Sequence, residues 1–166
     1  CPHYLLFTEE DVRGYDTAAK VNPPLRTAHD REAVRQALRE GVLDILATDH
    51  APHAAHEKEV EFDQAPCGVS GLDTALGSTW ELVEQGVLSA ADFERAWSEG
   101  PCRIFGLACN TFAKNDPADF VLFDPLAAWE VTPGAMFSKG KNTPLLGRTL
   151  GGRVRSHFLL GRNIVS

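Results

Sequence analysis

Apolar and polar positions recur along this chain with two different periods. In the first two-thirds the period is helical. Ala33, Val34, Ala37 and Leu38 share one helix face, while Arg31, Arg35 and Arg39 fall elsewhere. Thr27-Ala28-His29-Asp30 gives that helix a capping-box start, and Gly41 stops it. Thr8-Glu9-Glu10-Asp11 reads as another helix start, with acids where the macrodipole favours them. Leu72, Ala75, Leu76, Thr79, Leu82 and Val83 trace a further helix face. Ser89-Ala90-Ala91-Asp92 caps a helix carrying Phe93, Ala96 and Trp97, and a short helix follows from Pro101 to Phe105. Asn22-Pro23-Pro24 must be irregular, because each proline removes a donor and restricts its predecessor.

Leu43 to Thr48 is a short, mostly apolar run that ends in polar residues. It predicts a buried parallel strand with functional groups at its C-terminal end. Residues 49–71 then form a long loop rich in His, Pro, Gly and acids, and loops of that length in compact domains are usually functional. Past residue 110 the pattern shortens. Residues 119–124 and 128–132 predict strands. Two or three more fit between Arg148 and Val165, divided by Gly151-Gly152 and by Gly161-Arg162-Asn163. The predicted class is α/β, with an α/β part over 1–110 and a β-rich part over 111–166.

Composition narrows the function classes. The 166 residues are 43% hydrophobic and 23% charged, which is globular. Sixteen basic against 23 acidic residues give a net charge of −7 and argue against a nucleic-acid partner. No run of eighteen apolar residues exists, so no membrane span is expected. Cysteines stand at 1, 67, 102 and 109 without a Cys-x-x-Cys pair. With no export signal they read as free thiols of a cytoplasmic protein, and nothing supports a Cys102–Cys109 disulfide. The first residue is Cys1 rather than Met, so the chain is expected to be part of a longer protein.

The densest chemistry is Thr48-Asp49-His50-Ala51-Pro52-His53-Ala54-Ala55-His56. Carboxylate and imidazole are ligand types for zinc and similar ions, and an aspartate here can also serve as a general base. A polar loop with solvated histidines is the competing reading, and the residues alone leave both open. Pro52 breaks any regular helix through the three histidines, so they need not share a face. A catalytic zinc site also needs at least three protein ligands. Among the remaining histidines, His29 is expected to be exposed in a helix cap and His157 ordinary, while the role of His3 is open.

Taken in order, the motifs are Cys1-Pro2-His3-Tyr4-Leu5-Leu6, Lys20-Val21-Asn22-Pro23-Pro24-Leu25-Arg26, Ala47-Thr48-Asp49-His50-Ala51-Pro52-His53, Glu57-Lys58, Ala65-Pro66-Cys67-Gly68-Val69-Ser70-Gly71, Pro117-Ala118-Asp119-Phe120-Val121-Leu122-Phe123-Asp124 and Ser138-Lys139-Gly140-Lys141-Asn142-Thr143-Pro144. Over essentially its whole length the chain resembles the C-terminal portion of a bacterial-type dihydroorotase of the amidohydrolase superfamily. The resemblance implies a (β/α)8 TIM-like metal-dependent hydrolase barrel flanked by a small β-sandwich. Residues 1–110 would be the last βα units of the barrel, with the Asp49 strand the eighth, and 111–166 part of the sandwich.

It also implies the reversible cyclisation of N-carbamoyl-L-aspartate to L-dihydroorotate in pyrimidine biosynthesis, by a zinc-activated hydroxide. Asp49 matches the aspartate that ligates zinc and shuttles the proton. Asn22 and His53 match substrate-binding residues. Cys67 and Gly68 match a position where backbone groups contact the substrate ring, although position 67 is often aromatic in the family. His50 should point to the opposite face from Asp49 and be structural. His56 should be loop surface, Lys58 and Arg26 surface ion-pair residues, and His3 a family histidine outside the metal site.

The cofactor implied is Zn2+, one or two ions, with the remaining ligands expected before Cys1 because no His-x-His occurs here. The chain by itself is therefore expected to be inactive, and the intact protein a cyclic amidohydrolase that forms homo-oligomers. Two alternatives stand beside this reading. One is a non-catalytic dihydroorotase-like subunit scaffolding aspartate carbamoyltransferase. The other is an allantoinase or hydantoinase relative, against which Asn22-Pro23-Pro24 speaks.

Overall fold

The computed structural model describes residues 1–165. A short helix α1 (Pro2–Leu6) opens the chain and is followed by 3-10 turns at Glu9–Val12 and Thr17–Ala19. Helix α2 spans Ala28–Arg39, α3 Ala55–Lys58 and α4 Ala75–Glu84. Helix α5 (Ala90–Glu94) runs through a π-helical turn at Arg95–Glu99 into α6 (Gly100–Phe105). Strands β1 (Phe120–Glu130), β2 (Thr149–Leu159) and β3 (Arg162–Val165) form one antiparallel sheet in the order β1-β2-β3. Among the described residues no helix is long and apolar enough to cross a membrane.

The predicted caps form. Thr27 and Asp30 exchange side-chain and backbone bonds at the start of α2, Ser89 and Asp92 do the same for α5, and Thr8 and Asp11 do so for the first 3-10 turn. That first segment never becomes an α-helix, because the chain turns at Gly14, whose φ is +82°. The expected face of α2 needs correction. Leu38 is buried but Ala33 is exposed, and Arg35 lies inward. Its guanidinium donates to the Leu5 carbonyl at 2.8 Å and to Glu32 at 2.7 Å, which makes burial of the charge tolerable.

The strand expected over Leu43–Thr48 is not paired. The segment is extended and Leu46 is buried, but its N–H donates to the Ala96 carbonyl at the π-turn rather than to a ladder. The described residues place no strand alongside it, and a strand is defined by its neighbour. Gly100 sits against this segment, where a Cβ would run into the Asp44 carbonyl. The π-turn just before it accommodates Pro101, which has no N–H to give an α-helical ladder.

In the β-rich part, the two strands expected over 119–132 are one strand. Its register slips between Asp124 and Ala128, around Pro125. The Gly151-Gly152 pair does not divide β2. At Gly152, with φ +81°, a Cβ would collide with the Phe123 ring, so the missing side chain makes room for an aromatic cluster. In that cluster Trp80, Phe93 and Phe123 join α4, α5 and β1, with ring centroids 5.2 to 5.8 Å apart.

Two apolar clusters form the core. One gathers Leu5, Leu38, Leu46, Leu82, Leu88 and Ala96 between the helices and the extended segment. The other combines Phe7, Val21, Leu25 and Val69 with Val131, Met136, Leu145 and Leu150. The second cluster seats the connection between β1 and β2 against the loops that carry the chemistry.

Candidate active site

Asp49 stands at the end of the extended segment with φ +49°, a left-handed conformation that aspartate tolerates better than most residues. Strained backbone of this kind concentrates at functional positions. The loop that follows is stitched to its neighbours. His50 and Val69 form a parallel bridge, and Ala51 N–H donates to the Val69 carbonyl at 2.9 Å. Gly68 N–H donates to the Lys20 carbonyl at 2.8 Å, and Ser70 N–H to the Asn142 carbonyl at 2.8 Å. Four separate stretches therefore meet here, around residues 20–23, 49–53, 67–70 and 138–142.

His3, kept outside the metal site on sequence grounds, is brought to it. Its imidazole is buried and Nε2 lies 3.8 Å from Asp49 Oδ2, with no hydrogen-bond partner among the described residues. Burial pushes the His3 pKa well below its ordinary value, against the raising effect of the Asp49 carboxylate. The ring is neutral at physiological pH. Cys1, His3 and Asp49 each offer a ligand atom within 4.8 Å of the others. Thiolate, imidazole and carboxylate suit a borderline-soft divalent ion such as zinc, so the residues present fit the metal implied.

Tyr4 is a second residue that the motifs did not single out. Its hydroxyl donates to the Pro23 carbonyl at 2.6 Å, which ties α1 to the exposed Asn22. Burial raises the Tyr4 phenol above its usual value, and the nearby Asp49 carboxylate and Cys67 thiol raise it further. Tyr4 thus lies among three of the residues predicted from sequence.

His53 is held from three sides. Its N–H donates to Asn142 Oδ1 at 2.8 Å, Nε2 lies 3.2 Å from the Cys67 carbonyl, and Nδ1 is 3.8 Å from Glu57 Oε2. A carbonyl only accepts, so Nε2 carries a hydrogen. At Gly68, φ is +144°, and a Cβ would lie 2.6 Å from Ala51 Cβ and 3.1 Å from His53 Nε2. The Gly68 carbonyl accepts from Asn142 Nδ2 at 3.0 Å and Lys58 Nζ at 3.3 Å. Both backbone polar groups of Gly68 are thus engaged within the protein.

His50 has the structural place expected of it. Its Nδ1 accepts from Gly71 and Leu72 N–H groups at 3.2 Å each, and Nε2 faces Ser138 Oγ at 3.4 Å. His56 and His29 are exposed. Lys58 departs from expectation: it is buried, and its ammonium donates to the carbonyls of Pro66 and Gly68 rather than to a surface acid. Lys20 does parallel work, donating to the carbonyls of Phe62, Asp63 and Ala65. The two lysines hold the loop that ends at Gly68. No local pattern in the sequence signals them, because their partners are backbone carbonyls that every residue carries.

The chain belongs to the amidohydrolase family, whose model matches residues 7–162. It is similar to the dihydroorotase of Anaeromyxobacter dehalogenans (strain 2CP-1 / ATCC BAA-258), 48% identical over 99% of this chain and 38% of that relative. It is also similar to the dihydroorotase of Pelotomaculum thermopropionicum, 44% identical over 99% of this chain and 39% of that relative. Solved structures include a D-hydantoinase, with TM-score 0.88 and 27% identity over all of this chain and 38% of that one. The L-hydantoinase (dihydropyrimidinase) of Arthrobacter aurescens has TM-score 0.90 and 26% identity over 99% of this chain and 38% of that one. The chain thus spans under two-fifths of the length of the relatives it matches.

Proposed function

We propose that the full-length protein carrying this chain is a dihydroorotase that interconverts N-carbamoyl-L-aspartate and L-dihydroorotate. The observation that carries this reading is that the buried His3 of α1 faces Asp49, on the loop that also carries the clamped His53. The strings Asn22 to Arg26 and Ala47 to His53 favour dihydroorotate over hydantoins. In this reading 1–110 supplies the last βα units of an eight-stranded barrel. Residues 111–166 supply part of a β-sandwich, with the connection between β1 and β2 reaching back to the site.

Asp49 is the residue we assign to hold zinc, with His3 and Cys1 beside it. When bound, the ion polarises the amide carbonyl and acidifies water. The chain's own residues do the rest. The Asp49 carboxylate takes a proton from the attacking water and returns it to the leaving amide nitrogen. His53 and Asn22 are the residues we assign to orient the substrate.

The test uses the full-length protein. Turnover of L-dihydroorotate, with little on allantoin, hydantoin or dihydropyrimidines, is expected. Asp49→Ala should abolish turnover and lower bound zinc, while His56→Ala should change kcat/KM less than about threefold, as for a surface residue away from the reacting groups. Activity on allantoin or hydantoin alone, or near-normal turnover by Asp49→Ala, would sink the assignment.

A further inference from the structure

The string Ser138 to Asn142 has no part in the function described so far, yet it touches both the 49–53 and the 67–70 loops. Asp73 accepts from the N–H groups of Phe137 and Ser138, which starts the segment at a fixed point. Ser138 faces His50. Gly140 lies so close to the next loop that a Cβ would sit 2.6 Å from Pro52 Cβ and 2.8 Å from His53 N. Asn142 follows, buried, with its whole amide engaged. Its Nδ2 donates to the carbonyls of Ala51 and Gly68, both at 3.0 Å. Its Oδ1 accepts from the His53 backbone N–H at 2.8 Å and shares the single Ser70 hydroxyl hydrogen with the Gly140 carbonyl, each 2.8 Å from Ser70 Oγ.

Four bonds to two loops make this amide a spacer of defined length. We propose that Asn142 is a positioning residue for substrate binding: it fixes the 51–53 loop against the 67–70 loop, and so sets where His53 stands relative to Cys67 and Gly68. Only a primary amide gives two donors and two acceptors in one plane, and glutamine would hold it one methylene further out. An aspartate in its place would keep the bonds from His53 and Ser70 but would face two carbonyls without a hydrogen to offer. Small displacements of a binding group weaken affinity without touching the proton transfer at Asp49. This inference rests on the dihydroorotase reading for its substrate, not for its geometry.

The test compares Asn142→Asp, Asn142→Ala and Gly140→Ala in the full-length protein. Ser89→Ala is the comparator, since it removes the cap of α5 and touches none of these contacts. The Asn142 variants are expected to raise KM for dihydroorotate at least about tenfold, with kcat within about threefold and bound zinc unchanged, the pattern of lost ground-state binding. In subunits labelled with 15N-histidine, the His53 ring should lose the distinct Nε2–H signal that its contact with Cys67 gives. Gly140→Ala should move KM the same way through crowding at His53, and gives a second reading if the Asn142 variants do not fold. Ser89→Ala should lower the melting temperature and leave KM alone. A wild-type KM and an unchanged His53 signal in soluble Asn142→Asp or Gly140→Ala would overturn the proposal. So would loss confined to melting temperature, as in Ser89→Ala. If the wild-type protein fails on dihydroorotate, the substrate reading falls, and the His53 signal alone then decides the role of Asn142.

Discussion

At the scale of single residues, the site depends on places where only one side chain is tolerated. Gly68 is the clearest. Its φ of +144° lies where side-chain-bearing residues are strained, and an added methyl would press on Ala51 and His53. Gly68→Ala should therefore cost at least about 2 kcal/mol, the scale of one strained residue with a clash added. Chemical denaturation of the full-length protein measures it, and a cost under about 0.5 kcal/mol would mean the loop has room it does not show. Asp49, His53 and Gly68 were legible as residue types in motifs that the fold brings to neighbouring loops. The inward turn of His3 and the burial of Lys58 were not. A lone histidine and a lone lysine carry no periodicity, and their surroundings come from elsewhere in the chain, Asp49 for His3 and the Pro66 and Gly68 carbonyls for Lys58.

Among elements, caps were the most legible feature because they are local. Ser89 and Asp92 sit three apart, and their reciprocal bonds need no tertiary contact. Ser89→Ala should destabilise the protein by about 1 kcal/mol near neutral pH. The pH dependence has a definite sign. The bond from Ser89 holds the Asp92 carboxyl below its ordinary value. That stability is present above the unfolded carboxylate pKa of about 3.9 and is lost as pH falls through the lower folded value. Wild type and variant should converge in urea melts below about pH 4, and a gap that stays constant down to about pH 3 would assign the effect elsewhere. The division of β2 was misread for the opposite reason, and strand 43–48 finds no partner among the described residues. Pairing is decided by neighbours, and Gly152 answers to Phe123 on the adjacent strand, far from it in sequence.

For the molecule as a whole, the question is whether the β-rich part is separable. The change of sequence pattern near residue 110 suggests a boundary, but packing runs across it. Val131, Met136, Leu145 and Leu150 share one cluster with Phe7, Val21, Leu25 and Val69. Leu150 is fully buried on β2, a strand that packs against α4. Arg148 reaches Glu81 on the same helix at 3.2 Å. A core shared in this way unfolds as one unit, because neither half can keep its apolar surface covered alone. Leu150→Ala removes a side chain from the shared cluster and should cost about 2 to 5 kcal/mol. Calorimetry should show the whole transition moving down together. Two resolved transitions, with only the smaller one shifted, would mean that the sheet folds independently. Asn142 would then position the site from outside the unit that carries the chemistry, and the coupling between its amide and His53 would weaken as soon as the sheet melted. A single transition places the clamp and the loops of the candidate site in one cooperative body, which is the condition for a spacer only one amide long to hold those loops in register.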